Sequence, residues 1–207
     1  MIRYDFQLTS EYAYNVVTSW SLNSKTAMKT LISGILLLSI AFCHAQKGSI
    51  FPDLEGESLV HGMVNIPEDT KGKHTLIGLA FSKKSEKDLN GWFNPVYQQL
   101  LKEPEEGTLF AFTYDVNVFF VPMLTGAKRP AYEQVMKKVE KDVDKKLHPN
   151  ILFYKGTLKE YKEALNIEDK DVPHFYLLDK EGKIIYATTG SYDPSKLQKI
   201  IDELPFE

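Results

Sequence analysis

Cysteine is almost absent from this sequence: Cys43 is the only one among 207 residues. A lone thiol cannot close an intrachain disulfide, so no disulfide framework and no Cys-X-X-Cys pair is available, and the fold must rest on its apolar core. Neither sign of charge dominates. The 25 Lys and Arg against 28 Asp and Glu give a net charge of −3, which removes the basic excess that general phosphate neutralisation requires and argues against a nucleic-acid partner. No block of like charge suggests a tail. Beyond residue 45 the histidines His61, His74, His148 and His174 are scattered, with no ligand spacing and no cysteine partner, so no metal is expected. Gly72 and Gly78 fit neither a P-loop nor a dinucleotide fingerprint, and no cofactor is expected.

Long apolar runs are equally scarce. The one example is Leu31–Phe42, preceded by Met28 and Lys29 and followed by Cys43-His44-Ala45. Its basic start, apolar centre and small-residue end read as a secretory signal over residues 28–45, and it falls short of the roughly 20 residues a spanning helix needs. Residues 1–27 then read as a mis-assigned upstream extension with Met28 the true start, or as an unusually long leader. The mature chain would run from 46 to 207, be exported to a periplasmic or extracellular space, and carry no integral membrane span. Lipid attachment through Cys43 is the weaker reading, because Phe42 is bulky where such signals prefer a small residue.

What is present from Ser49 onward is alternation. Hydrophobic residues make up 43% of the chain, enough for one domain with a real core. Ile50–Gly56 reads as an extended entry and a turn, His61–Ile66 as a short strand ended by Pro67, and Thr75–Phe81 as a buried strand. Leu89, Trp92, Phe93, Val96, Tyr97, Leu100 and Leu101 fall at helical spacing, although Pro95 should kink or divide that helix. Thr108–Val121 is a long β-forming run. Pro130 suits a helix start, with an apolar stripe from Tyr132 to Leu147 behind it. A strand at Ile151–Tyr154, a helix at Leu158–Leu165, a hairpin of His174–Leu178 and Lys183–Thr188 turning at Asp179–Gly182, and a final amphipathic helix complete the order. Strands alternating with helices and then an antiparallel hairpin imply an α/β class with a central mixed sheet flanked by helices.

The strand-to-helix junction in Leu79–Leu89, LAFSKKSEKDL, carries two serines, Ser82 and Ser85, three residues apart. Serine is a favoured N-cap, and Glu86 suits the first helical turn, so a capped helix is the plain reading. A nucleophilic serine would need a base and an oxyanion hole, and no G-x-S-x-G elbow is present. Lys83 and Lys84 form a solvated rim, or else a small cationic patch beside the cap. Trp92 and Phe93 read as core residues.

The order of elements, together with VPHFYLLDKEGKIIY, resembles the thioredoxin-like superfamily, especially its exported TlpA-like and peroxiredoxin-like branches. FPDLEGESL is similar to the entry segment of those branches, and KGKHTLIGLAF to their turn and buried strand. The same segments, with the tryptophan-containing stretch after them, are similar to the Atp10-type assembly factor. The resemblance implies a thioredoxin-like fold over Ser49–Leu204, a cis Val172–Pro173 bond ahead of a strand, and Ser82 and Ser85 in the places of the redox cysteines. Thiol–disulfide exchange and cysteine peroxidase chemistry are thereby excluded for the mature chain. The resemblance further implies that the backbone beside Pro173 can pair with an extended polypeptide, a recognition mode that needs no thiol.

The expected function is an exported, redox-inactive module that binds a protein or peptide in a groove formed by Ser82, Lys83, Lys84, Ser85, Val172, Pro173 and His174. One alternative is an enzyme of a non-thiol class using Ser82, Lys84 or His174 in a polar role. Another is a purely structural domain whose groove is filled by Trp92 or Phe93.

Overall fold

A computed structural model describes residues 47–103, 114–125 and 131–205. The chain divides into two units, Met1–Ala45 and Gln46–Glu207, and every described residue belongs to the second. The expected signal at 28–45, Cys43, the start of the β-forming run at Thr108 and Pro130 lie outside the described residues. Among the described residues, no helix is long and apolar enough to cross a membrane.

Among the described residues, seven strands form one mixed sheet in the order β2-β1-β5-β4-β3-β6-β7. Strands β1 (Leu54–Ser58) and β2 (Gly62–Ile66) make an antiparallel hairpin at one edge. The centre is β3 (His74–Ala80), parallel to β4 (Val116–Thr125) and antiparallel to β6 (His174–Leu178). Strand β5 (Leu152–Gly156) runs parallel to β4, and β7 (Ile184–Thr189) closes the other edge. Helices cover the faces: α1 (Lys83–Val96), α2 (Tyr132–Asp142), α3 (Lys159–Ala164) and α4 (Pro194–Asp202). This is the mixed, helix-flanked architecture expected from the alternation of patterns.

Strand β3 is buried on both faces, and its period-2 alternation feeds two separate cores. Leu76 and Ala80 join Leu89, Trp92, Val96, Phe175 and the α4 residues Leu197 and Ile200 on one side. Ile77 and Leu79 join Phe51, Leu54, Tyr161 and Leu165 on the other. Gly78 lets α1 sit close to the sheet, because a Cβ there would lie 2.6 Å from Phe175 Cε1 and 2.9 Å from Leu89 Cδ1.

Four expectations need correction. Glu55 and Gly56 belong to a strand, not a turn: Leu54, Gly56 and Ser58 face inward, and a Cβ on Gly56 would meet Leu152 Cβ at 3.0 Å, so the glycine serves packing between β1 and β5. Pro95 does not divide its helix. Helix α1 continues through it to Val96, and the chain then widens into a π-helical turn over Tyr97–Leu101, with Lys102 N donating to Tyr97 O at 2.7 Å; the helix tolerates the one missing N–H without a break. The stripe behind Pro130 does not run as one helix to Leu147. It ends at Asp142, Val143 turns extended (ψ 142°), and Asp144 accepts from Lys146 N to start a 3-10 turn over Lys145–Asn150.

The fourth correction concerns proline geometry. Among the described residues the cis peptide bond is Ile66–Pro67, and Val172–Pro173 is trans. An X-Pro bond prefers trans by only about 0.5–1 kcal/mol, so local packing decides. Here the chain enters β6 in the lower-energy isomer, and Gly190 N donates to Pro173 O at 2.8 Å.

Candidate binding site

Ser82 leaves β3 in extended conformation (φ −137°, ψ 166°) and is the N-cap of α1. Its Oγ accepts from Ser85 N at 3.1 Å. In return, Ser85 Oγ accepts from Ser82 N at 2.8 Å and from Phe81 N at 2.9 Å, and donates to Ser82 O at 3.0 Å. The two hydroxyl oxygens lie 3.4 Å apart. The result is a reciprocal capping box closed by two serines instead of a serine and a glutamate.

Ser85 is fully buried, and its hydroxyl has one proton and two lone pairs, all engaged by backbone. That arrangement satisfies the helix start and leaves no free proton for a base to take. The nucleophile reading therefore loses its chemistry at Ser85.

Helix and strand ends bring most of the expected residues to one end of the sheet. The β3–β6 register places Leu79 opposite His174, so Phe81-Ser82 and Val172-Pro173 leave the sheet side by side. The His174 ring meets the Phe81 ring edge-on, with centroids 6.0 Å apart. His174 Nε2 lies 2.7 Å from Asp169 O, and a carbonyl only accepts, so that nitrogen carries the proton. Burial holds the imidazole below its ordinary pKa and favours the neutral form. His174 is thus a loop anchor, tied to Asp169, not a base aimed at Ser82 or Ser85.

Lys83 and Lys84 are exposed on the first turn of α1. Val172 is half-buried and lies beyond the last β3–β6 pair, while Pro173 is buried. Trp92 is buried in the core: its ring packs on Phe175 at 4.1 Å and edge-on to Tyr192 at 5.4 Å, and its Nε1 donates to Gly190 O at 3.2 Å. Phe93 packs on Phe120, with centroids 4.4 Å apart. Among the described residues no group of three His, Cys, Asp or Glu side chains could hold a metal ion.

One feature was not expected from the sequence. Between α1 and α2 runs an open groove of about 730 Å³, floored by Leu89, Phe93, Val135, Val139 and Ile151 and rimmed by charged side chains. Helix α2 carries much of the apolar stripe, yet none of its residues is fully buried. A long apolar stripe on a lysine-rich helix was the available signal.

With the geometry in place, comparison with known proteins fits the same frame. The C-terminal domain of a Bacteroides thetaiotaomicron protein described as a thiol-disulfide oxidoreductase is similar over 77% of this chain and 96% of its own, at 18% identity and a TM-score of 0.52. A thio-disulfide isomerase from Thermus thermophilus is similar over 78% of this chain and 100% of its own, at 13% identity and a TM-score of 0.48. A thiol:disulfide interchange protein from Bacteroides sp. covers 76% of this chain and 88% of its own, at 18% identity and a TM-score of 0.46. No curated protein matches the chain. The likeness at this identity is one of fold, and a single cysteine leaves no Cys-X-X-Cys pair to carry redox chemistry. The family model described as "ATP10 protein" matches residues 3–203, so this thioredoxin-like chain belongs to the ATP10 protein family.

Proposed function

We propose that this protein is an exported, redox-inactive assembly module that binds a polypeptide at the sheet end formed by Ser82–Ser85 and Val172–His174. The observation that carries the reading is the fully engaged Ser85 hydroxyl, which makes the β3–α1 junction a closed helix cap, at the place where the thioredoxin-like resemblance would set a reactive pair. Beside that cap, exposed Lys83 and Lys84 offer cationic donors at the positive end of α1. Val172 sits two residues past the end of the β3–β6 ladder, where an extended segment can continue the pairing. Membership of the ATP10 family supports a protein partner.

A photo-crosslinking residue placed at Lys84 or at Val172 tests this in the native host, with the exposed Lys159 on α3 as control. A discrete adduct from both site positions and none from the control is expected. The same adducts should weaken with Pro173→Ala by more than the variant lowers the melting temperature. Equal labelling from all three positions would sink the proposal.

A further inference from the structure

The α1–α2 groove is built differently from the sheet-end site, and its chemistry is specific. Its floor is apolar, contributed by Leu89, Phe93, Val135, Val139 and Ile151. Lys83 and Lys87, one helical turn apart, stand on the α1 wall, and Lys138 faces them from α2. These three lysines are exposed, and none of them takes part in the ion pairs found among the described residues. Glu86 and Asp142 also line the rim, so the balance among the described lining residues is positive by one in a chain whose net charge is −3.

We infer that this groove holds an amphipathic polypeptide segment of the partner, with apolar side chains on the floor and acidic side chains against Lys83, Lys87 and Lys138. Two walls of a helix pair over an apolar floor suit the helix-in-groove mode, in which residues at i, i+3, i+4 and i+7 anchor the ligand. Unpaired cations on both walls favour an acidic ligand and disfavour a basic one. The inference deepens the polypeptide-binding reading and rests on it, but it uses Lys87 and Lys138, which lie outside the sheet-end site.

The test uses the purified full-length protein and two fluorescent helical peptides. Both carry leucines at i, i+3, i+4 and i+7; one has glutamates between them and the other lysines. Anisotropy titrations compare wild type with Lys87→Glu/Lys138→Glu, two exposed positions whose reversal should leave the fold intact by circular dichroism. The glutamate peptide is expected to bind wild type and to lose about tenfold in affinity to the variant, as summed surface ion pairs allow. The lysine peptide should show the opposite order. Val139→Gln should weaken the glutamate peptide as well, by wetting the floor. Equal binding of the glutamate peptide to wild type and reversed variant, or no binding to wild type, would overturn the inference. A dimer in sedimentation velocity that dissociates on charge reversal would also overturn it, by making a second copy the occupant. Crosslinks at Lys84 and Val172 that persist in the reversed variant, with no peptide effect, would remove the groove while leaving the sheet-end reading in place.

Discussion

A serine hydroxyl offers one proton and two lone pairs, and at Ser85 all three meet backbone. Removing it leaves the Phe81 and Ser82 amides without their acceptor inside the junction. Ser85→Ala should therefore cost about 2 kcal/mol, combining a lost cap with unsatisfied buried donors. Ser82→Ala removes one bond at a half-exposed position and should cost about 1 kcal/mol. Urea denaturation of the two variants checks the order; a larger loss for Ser82→Ala would contradict the hydrogen-bond assignment.

His174 makes a second residue-scale test. Its folded pKa lies below the ordinary value of 6.5 because burial penalises the cation. Between the folded and unfolded pKa values the unfolded chain binds more protons, so stability rises with pH there. The contribution is complete above about pH 6.5 and is lost as pH falls toward the folded value. His174→Gln retains a donor for Asp169 O and cannot titrate in this range. The melting temperature of the variant should fall less than that of wild type between pH 7.5 and pH 5.5, and parallel curves would refute the assignment.

At the scale of elements, the α1 start is closed by two serine hydroxyls in a reciprocal capping box. The two hydroxyl oxygens are 3.4 Å apart, and a disulfide needs its sulfurs at about 2.05 Å with side chains already converging. Ser82→Cys/Ser85→Cys should accordingly form an intramolecular disulfide under air oxidation, with the thiol at the N-cap position lowered in pKa by the helix N-terminus. Free-thiol titration and mass spectrometry read the result. Two thiols that persist under oxidation would mean that the cap imposes a backbone incompatible with a bridge. The hairpin between β6 and β7 shows the same dependence on local chemistry. Asp179 Oδ1 accepts from Glu181 N and Lys183 N, and Gly182 has φ +83° with its Cα hydrogen facing Pro67, where a Cβ would come within 2.5 Å. Sequence reading placed that turn correctly, because aspartate and glycine at those positions encode it without help from the rest of the chain.

At the scale of the whole unit, one sheet separates two cores. Leu76 and Ile77 are neighbours in β3 but face opposite cores, and both are essentially buried. Leu76→Ala and Ile77→Ala should each cost about 3 kcal/mol, and each should lower a single cooperative transition, since β3 belongs to both layers. Chemical denaturation followed by tryptophan fluorescence and by far-UV circular dichroism checks the point. Non-coincident transitions in either variant would show that the two cores unfold separately.

The sequence by itself determined the order of strands and helices, the closing hairpin, the serine cap and the absence of a Cys-X-X-Cys pair. Each of these is written in local terms: period-2 and helical spacing, turn residues, a favoured N-cap and a count of one cysteine. Only the tertiary structure decided that Gly56 packs within a strand, that α1 runs through Pro95, that Val172–Pro173 is trans and that His174 is tied to Asp169. Only it revealed the α1–α2 groove. An apolar stripe records that a helix side seeks cover, but whether neighbouring elements supply that cover depends on how far apart the sheet sets them. In α2 they cover Val135 and Val139 only partly, and that partial cover is what leaves the apolar floor of the groove open.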